Sequence, residues 1–291
     1  MKPVIKWSGS KRTQAHDIVS YIPDKHYETY YEPFCGSCSV LAYIIEREKE
    51  ARHFKSFVCS DLNKDLIASY NLIKENPKQV VADYESHWKN LNKKSNTIDD
   101  KKAYFESIRE KLNREHNPSD FIFIMRTTTN GMPRYNKNGE FNNSFHLTRN
   151  GIVPREFEKI VNRWSFFLKK YNVQFVCCPF EEICPNSNDL VYLDPPYANT
   201  KGMYFKSFDN TALFAFLERL ECDWMLSYDG IAGNDNLIAE VPETLYKEHV
   251  MIDNGNSSFR RVIGKDKHCN VQESLYLSFE PEFAFTGLYL F

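Results

Sequence analysis

A chain of 291 residues is about twice the roughly 150 residues of a typical domain, so it has room for one large domain or for a core carrying an inserted module. With 42% hydrophobic and 26% charged residues it is composed like an ordinary globular protein, which excludes a disordered or collagen-like chain. Its apolar runs, such as Phe121 to Met125 and Leu190 to Leu193, are far too short for a membrane span, no apolar signal segment opens the chain, and eight cysteines are too sparse for a disulfide framework, so reduced thiols, a cytoplasmic setting and no membrane partner are expected.

The spacing of Ala15, Ile18 and Val19 predicts a helix over Thr13 to Tyr21, opened by the Gly-Ser loop that follows Trp7. Tyr27 to Glu32 reads as a strand, Pro33 to Cys38 as a loop of small residues, and Val40 to Glu50 as a helix. A second strand, Phe54 to Ser60, ends at Asp61 and leads into a helix over Leu66 to Lys74. Strands that alternate with helices predict a parallel α/β sheet. From Pro77 to Trp164 the pattern changes to charged helices and then to a polar stretch with two hairpin-type dipeptides, Asn130-Gly131 and Asn138-Gly139, which reads as an inserted module. Its charge differs too: Ser86 to Lys170 holds 17 Lys and Arg against 9 Asp and Glu, a +8 segment in a chain whose net charge is -2. A basic middle in an acidic frame points to nucleic acid or to a solvated helical surface. The α/β rhythm then resumes with strands at Val173 to Cys177, Leu190 to Leu193, Trp224 to Tyr228 and Ser274 to Phe279, and a helix near Thr211 to Leu220.

Asp194, Pro195, Pro196 and Tyr197 directly follow an apolar strand. In an open α/β sheet ligands bind beyond the carboxyl ends of the strands, so this tetrapeptide belongs at the mouth of an active site. A carboxylate and the peptide carbonyl between two prolines can each accept one N–H of a planar amine, and Tyr197 offers a face for an extruded base. The small-residue loop from Glu32 to Ser39 suits a nucleotide-type ligand, with Asp61 at the next strand end as a ribose-binding acid or an N-cap. Cys35 to Cys38 spells C-G-S-C, so a thioredoxin-like redox centre competes, but the basic insert and the D-P-P-Y are foreign to that job. No second C-x-x-C and no His spacing suggest a metal, and the remaining cysteines are expected to pack as small hydrophobes.

Taken together, I-K-W-S-G-S-K at Ile5 to Lys11, E-P-F-C-G-S-C-S-V at Glu32 to Val40, S-D-L-N at Ser60 to Asn63, N-G-M-P-R-Y-N-K-N-G-E-F-N at Asn130 to Asn142 and D-P-P-Y at Asp194 to Tyr197 resemble the Dam-like family of DNA adenine-N6 methyltransferases, in its alpha-type motif order. The resemblance implies a Rossmann-like S-adenosylmethionine-dependent core in two parts, 1–75 and 166–291, interrupted at 76–165 by a mostly helical target-recognition domain with a β-hairpin. It implies transfer of a methyl group from S-adenosylmethionine to N6 of a flipped adenine in double-stranded DNA, with no metal and no obligatory protein partner. Asp194, Pro195, Pro196 and Tyr197 would be catalytic; Trp7, Lys11, Glu32, Phe34, Gly36, Asp61, Phe180 and Asp194 would hold the cofactor; Asn130, Met132, Arg134 and Asn136 would contact DNA. An RNA or protein-glutamine methyltransferase, or a silent DNA-binding relative, are the alternatives. Cys38 stands where the family often has glycine, Thr129 where GATC-specific relatives offer an aromatic, and Asn143-Ser144 where they carry valine-proline.

Overall fold

The computed structural model describes residues 1–129, 131, 133–196, 208–232, 235–256 and 270–281. Its framework is an eight-stranded sheet of β1 (Tyr27–Pro33), β2 (Phe54–Asp61), β3 (Gln174–Cys177), β4 (Leu190–Leu193), β5 (Asp223–Ala232), β6 (Asp235–Asn236), β7 (Glu248–Asn256) and β8 (Asn270–Leu277). The strands run in the order β3-β2-β1-β4-β5-β8-β7, with β6 paired to β5. Pairings from β3 through β5 are parallel, whereas β8 lies antiparallel between β5 and β7. The parallel α/β sheet expected from the sequence is present from β3 through β5, and β8 and β7 extend it with antiparallel pairings. Strand β7 escapes the sequence pattern because it forms an edge, where residues such as Val250 and Met251 are only half-buried and no clean alternation arises.

Helices α1 (Ala15–Ser20), α2 (Ser39–Ile45), α3 (Glu48–Ala51), α4 (Lys64–Glu75) and α9 (Asn210–Glu218) belong to the α/β rhythm. The single helix expected over Val40 to Glu50 is two, broken at Glu46-Arg47. Asn63 caps α4 by accepting the Leu66 N–H at 3.0 Å, and Asp209 caps α9 through Thr211 N at 2.9 Å. Between α4 and β3 the chain builds α5 (Pro77–Leu91), α6 (Ile98–Glu115), α7 (Pro118–Thr127) and α8 (Pro154–Lys170). Proline opens α5, α7 and α8, where its missing N–H costs nothing, and a Thr97–Asp100 capping box opens α6. These four helices share one hydrophobic cluster with the sheet: Trp164 of α8 packs on Tyr70 of α4, and Phe121 to Met125 of α7 are fully buried. Helix α8 runs unbroken through residue 165.

From α7 to α8 the backbone forms an antiparallel arm rather than two regular strands. Isolated bridges join Thr128 to Phe145 and Tyr135 to Phe141, and the tip turns at Asn136 to Glu140, where Gly139 takes a φ of +80°. No helix among the described residues is long and apolar enough to cross a membrane.

Candidate active site

Strands β1 and β4 are parallel neighbours from which the chain departs in opposite directions, so a crevice opens between their carboxyl ends. Glu32 to Ser39 leaves the end of β1 and Asp194 leaves the end of β4, which brings two motifs far apart in sequence to one place. Asp189, fully buried, fixes their register by accepting the N–H of Thr29 at 2.9 Å and that of Asn186 at 2.8 Å.

The loop after β1 is tightly wound. Phe34, Gly36 and Cys38 all have positive φ, at 63°, 44° and 50°. At Gly36 a β-carbon would lie 2.9 Å from both Cδ1 and Nε1 of Trp7, so this glycine is what lets the indole lie against the loop. Asp61, at the end of β2, ties the loops together, accepting from Gly36 N at 3.2 Å and Asn63 N at 2.9 Å. The N-cap role is taken by Asn63, so Asp61 is not the cap of α4. Burial pushes the Asp61 carboxyl up to about 6, against the opposing pull of those backbone N–H groups. Phe34 meets Phe180, in the 3-10 turn after β3, with ring centroids 5.0 Å apart, so the two aromatics proposed for the cofactor lie together.

Glu32 is placed differently from the other acids. It is buried, and its Oε2 accepts the Tyr30 hydroxyl and the Leu41 N–H of α2, each at 2.8 Å. Burial pushes its carboxyl well above the usual carboxylate range. Its visible task is to hold the loop onto α2. Cys35 and Cys38 of this loop and Cys59 of β2 are buried free thiols that pack into the core. Cys177 and Cys184 are exposed instead, so the expectation that the other cysteines pack as hydrophobes fails for these two. Their strand and loop leave one side open to water.

The N-terminal segment reaches the crevice as a strap. Arg126 of α7 donates to the carbonyls of Pro3 and Val4 at 2.9 and 3.1 Å, Trp164 donates to Lys2 O at 2.8 Å, and Ser8 N donates to Gly131 O at 2.9 Å. Lys11, only 5% exposed, then places its ammonium 2.7 Å from Asp194 Oδ1 and 3.3 Å from Glu273 Oε2. Burial pulls the Lys11 ammonium down, but the two carboxylates outweigh it and leave the group above the ordinary lysine value. Glu273 was not singled out from the sequence. The available signal is a lone acid between the apolar positions of a late strand.

Arg134 is exposed on the arm, whose backbone is fixed by the buried Asn143: Asn143 Oδ1 accepts Arg134 N at 2.7 Å and its carbonyl accepts Arg109 of α6 at 3.0 Å. Asn143 thus gives a structural meaning to one departure from the family pattern. Asn136 spends its side chain on its own turn, accepting from Asn138 N and Glu140 N and donating to Glu140 Oε2. Tyr135 receives a 2.6 Å bond from Asn63, so the arm is anchored to the turn after β2. At the arm's base, partial burial, Arg149 and Arg126 hold Lys6 below the usual lysine value, marking a concentration of positive charge. Tyr197, Asn130 and Met132 lie outside the described residues. Among the described residues no cluster of acidic, His or Cys side chains is arranged for a metal.

A profile of the D12 class N6 adenine-specific DNA methyltransferases matches residues 7–253. The Type II methyltransferase M.MjaIII of Methanocaldococcus jannaschii is 30% identical over 213 residues, covering 68% of this chain and 69% of its own. The DNA adenine methylase of Haemophilus influenzae is 24% identical over 292 residues, covering 94% and 87%. Among solved structures, the rRNA methyltransferase aviRa of Streptomyces viridochromogenes aligns over 95% of this chain and 89% of its own at 12% identity, with a TM-score of 0.44. With motifs from Trp7 to Asp194 inside the matched span, the chain belongs to the D12 class of N6 adenine-specific DNA methyltransferases, enzymes that take their methyl group from S-adenosylmethionine.

Proposed function

We propose that this enzyme methylates N6 of an adenine turned out of double-stranded DNA, with Asp194 and the Pro195 carbonyl gripping the amino group. The observation that carries the reading is the position of Asp194 at the carboxyl end of β4, beside the cofactor loop and ion-paired to a buried lysine. N6 of a paired, stacked adenine is shielded on every side, so chemistry on it requires extrusion. One N–H donates to Asp194 and the other to the Pro195 carbonyl. This draws the nitrogen lone pair out of conjugation with the ring and points it along the line of attack. Tyr197 supplies a stacking face for the extruded base, a contact worth about 1 to 3 kcal/mol.

The residues present suit S-adenosylmethionine. Asp61 is an acceptor for a ribose diol, Phe34 and Phe180 offer aromatic faces to an adenine, and the carboxylates around Lys11 suit a cationic ligand. When bound, the cofactor supplies an electrophilic methyl group on a sulfonium. Trp7 and Gly36 shape the loop that receives it, Glu32 holds that loop in place, and Lys11 orients Asp194.

Segment 76–165 serves in this reading as the target-recognition part between core segments 1–75 and 166–291, with Asn130, Met132, Arg134 and Asn136 on its arm toward DNA. The basic charge of the segment favours a duplex over a protein amide. The free thiols of the described cysteines fit a cytoplasmic setting. The test is transfer of labelled methyl from S-adenosylmethionine to unmethylated duplex DNA, followed by nucleoside analysis and sequencing of the modified positions. N6-methyladenine in a short recurring sequence, lost in a folded Asp194→Ala variant, is the expected result. Near-normal turnover by that variant removes Asp194 from the role, and transfer to RNA alone overturns the duplex reading.

A further inference from the structure

Where the chain returns from the arm toward α8, it exposes an apolar side chain that a continued extended segment would have buried. Phe145 points inward, 6% exposed, with its ring centroid 5.5 Å from that of Phe105 of α6. In an extended chain the residue two positions on lies on the same face. The backbone turns instead. Arg149 N donates to His146 O at 3.1 Å and Thr148 N to His146 Nδ1 at 3.3 Å, which carries Leu147 to the tip of the turn with 58% of its surface open. The turn is tied to α7, because His146 N donates to Thr127 O at 3.0 Å.

This tip stands among cations and beside the strap that enters the crevice. Burial, Arg149 and Lys6 hold the His146 imidazole below its ordinary value, as burial, Arg149 and Arg126 hold the Lys6 ammonium, so these four side chains share one neighbourhood. Lys6 precedes Trp7, whose indole lies against the cofactor loop at Gly36. Repulsion among neighbouring cations is relieved by an anion, which on a duplex is a backbone phosphate. An apolar tip set among such cations matches a base stack flanked by its phosphates. Thr129, across the arm, is turned another way, its hydroxyl directed to the carbonyls of Ser144 and Phe145.

Turning an adenine out of the helix leaves a gap between two apolar base faces, and the base falls back unless something occupies that gap. We propose that Leu147 is a positioning residue that enters the gap as a wedge, covers the bared base faces and delays the return of the adenine while its amino group is held for transfer. The inference rests on the reading in which the adenine is extruded from duplex DNA. Covering those faces lowers the free energy of the extruded state relative to the stacked one. An adenine that has no pairing partner leaves the stack more easily and gains less from the wedge. The contribution of Leu147 therefore depends on whether the target is paired, which an ordinary contact to a base edge or a phosphate does not.

The test compares wild type, Leu147→Ala and Leu147→Met in the full chain on two duplexes that carry the sequence the wild type methylates. In one the target adenine faces thymine, and in the other it faces an abasic residue. Leu147→Ala is expected to lower kcat/KM about tenfold on the paired duplex, through the lost apolar surface, and less than about twofold on the unpaired one. Leu147→Met, which keeps apolar length, stays within about threefold of wild type on both. With 2-aminopurine at the target position, the fluorescence rise that reports extrusion is smaller for Leu147→Ala than for wild type. Equal losses on the two duplexes, relaxed choice at one base position, or no loss at all overturns the proposal. A wild type that transfers methyl to no duplex refutes the duplex reading itself, whereas an active wild type with an insensitive Leu147→Ala variant refutes the wedge alone.

Discussion

With Asp61 as the proposed acceptor of the ribose diol, the affinity for S-adenosylmethionine is expected to depend on pH in a window set by the environment of that acid. Burial raises its carboxyl above the usual aspartate range, to about 6, despite the backbone N–H groups that it accepts. In the unliganded protein the folded state therefore holds this proton more tightly than the unfolded chain does. The stability gained is fully present below about pH 4 and is lost as pH rises through about 6. Ligand binding runs the other way, because a ribose diol donates best to the ionised acid. At pH 5 only about a tenth of a group titrating near 6 is ionised, so donor affinity should fall about tenfold between pH 7 and pH 5, equivalent to about 1.4 kcal/mol. The window lies below the titration of the donor's own amino group, roughly 7.7 to 8.0 in model compounds. Isothermal calorimetry over pH 5 to 7.5, on wild type and Asp61→Asn, is the measurement. The variant should bind about tenfold or more weakly at pH 7 and show no such slope. A flat wild-type profile, or an equal slope in the variant, refutes the argument.

Three substitutions probe the rest of the site. Gly36→Ala places a β-carbon 2.9 Å from the Trp7 indole at a φ of +44°, so it should cost about 2 to 4 kcal/mol in urea denaturation and weaken donor binding, whereas an unchanged midpoint would show that the loop adapts freely. Gly230→Ala drives a β-carbon to 2.0 Å from the Gln272 carbonyl, and should lower the melting temperature by several degrees and reduce kcat together, since β8 carries Glu273. Arg134→Ala removes an exposed cation from the arm without touching the core; a lost base contact should relax choice at one position by about 1 to 3 kcal/mol, whereas a lost phosphate contact should weaken all sequences alike and reduce the salt dependence.

Much of the framework is readable from local pattern. The apolar run Leu190 to Leu193 forms a strand over those residues, and the buried aromatics Tyr27, Tyr30 and Phe57 mark β1 and β2. Proline at the first turns and the Thr97–Asp100 pair announce the helices between α4 and β3. Edge and antiparallel strands are harder, because β7 is half-exposed and carries no clean alternation of apolar and polar residues.

The residues by themselves determined the alternating core, the loop of small residues after the first strand, the acid at the end of the second and the D-P-P-Y at the end of the fourth. Each is a short-range pattern with its own chemistry, and together they named the family. Tertiary structure decided what these residues touch. Only the folded sheet sets Lys11 between Asp194 and Glu273, 183 and 262 residues away in the chain, turns Glu32 inward to α2, and commits Asn136 to its own turn. The reason is physical: a buried charge must find its partners from every element that surrounds it, and those elements are set by topology and packing rather than by neighbours in sequence.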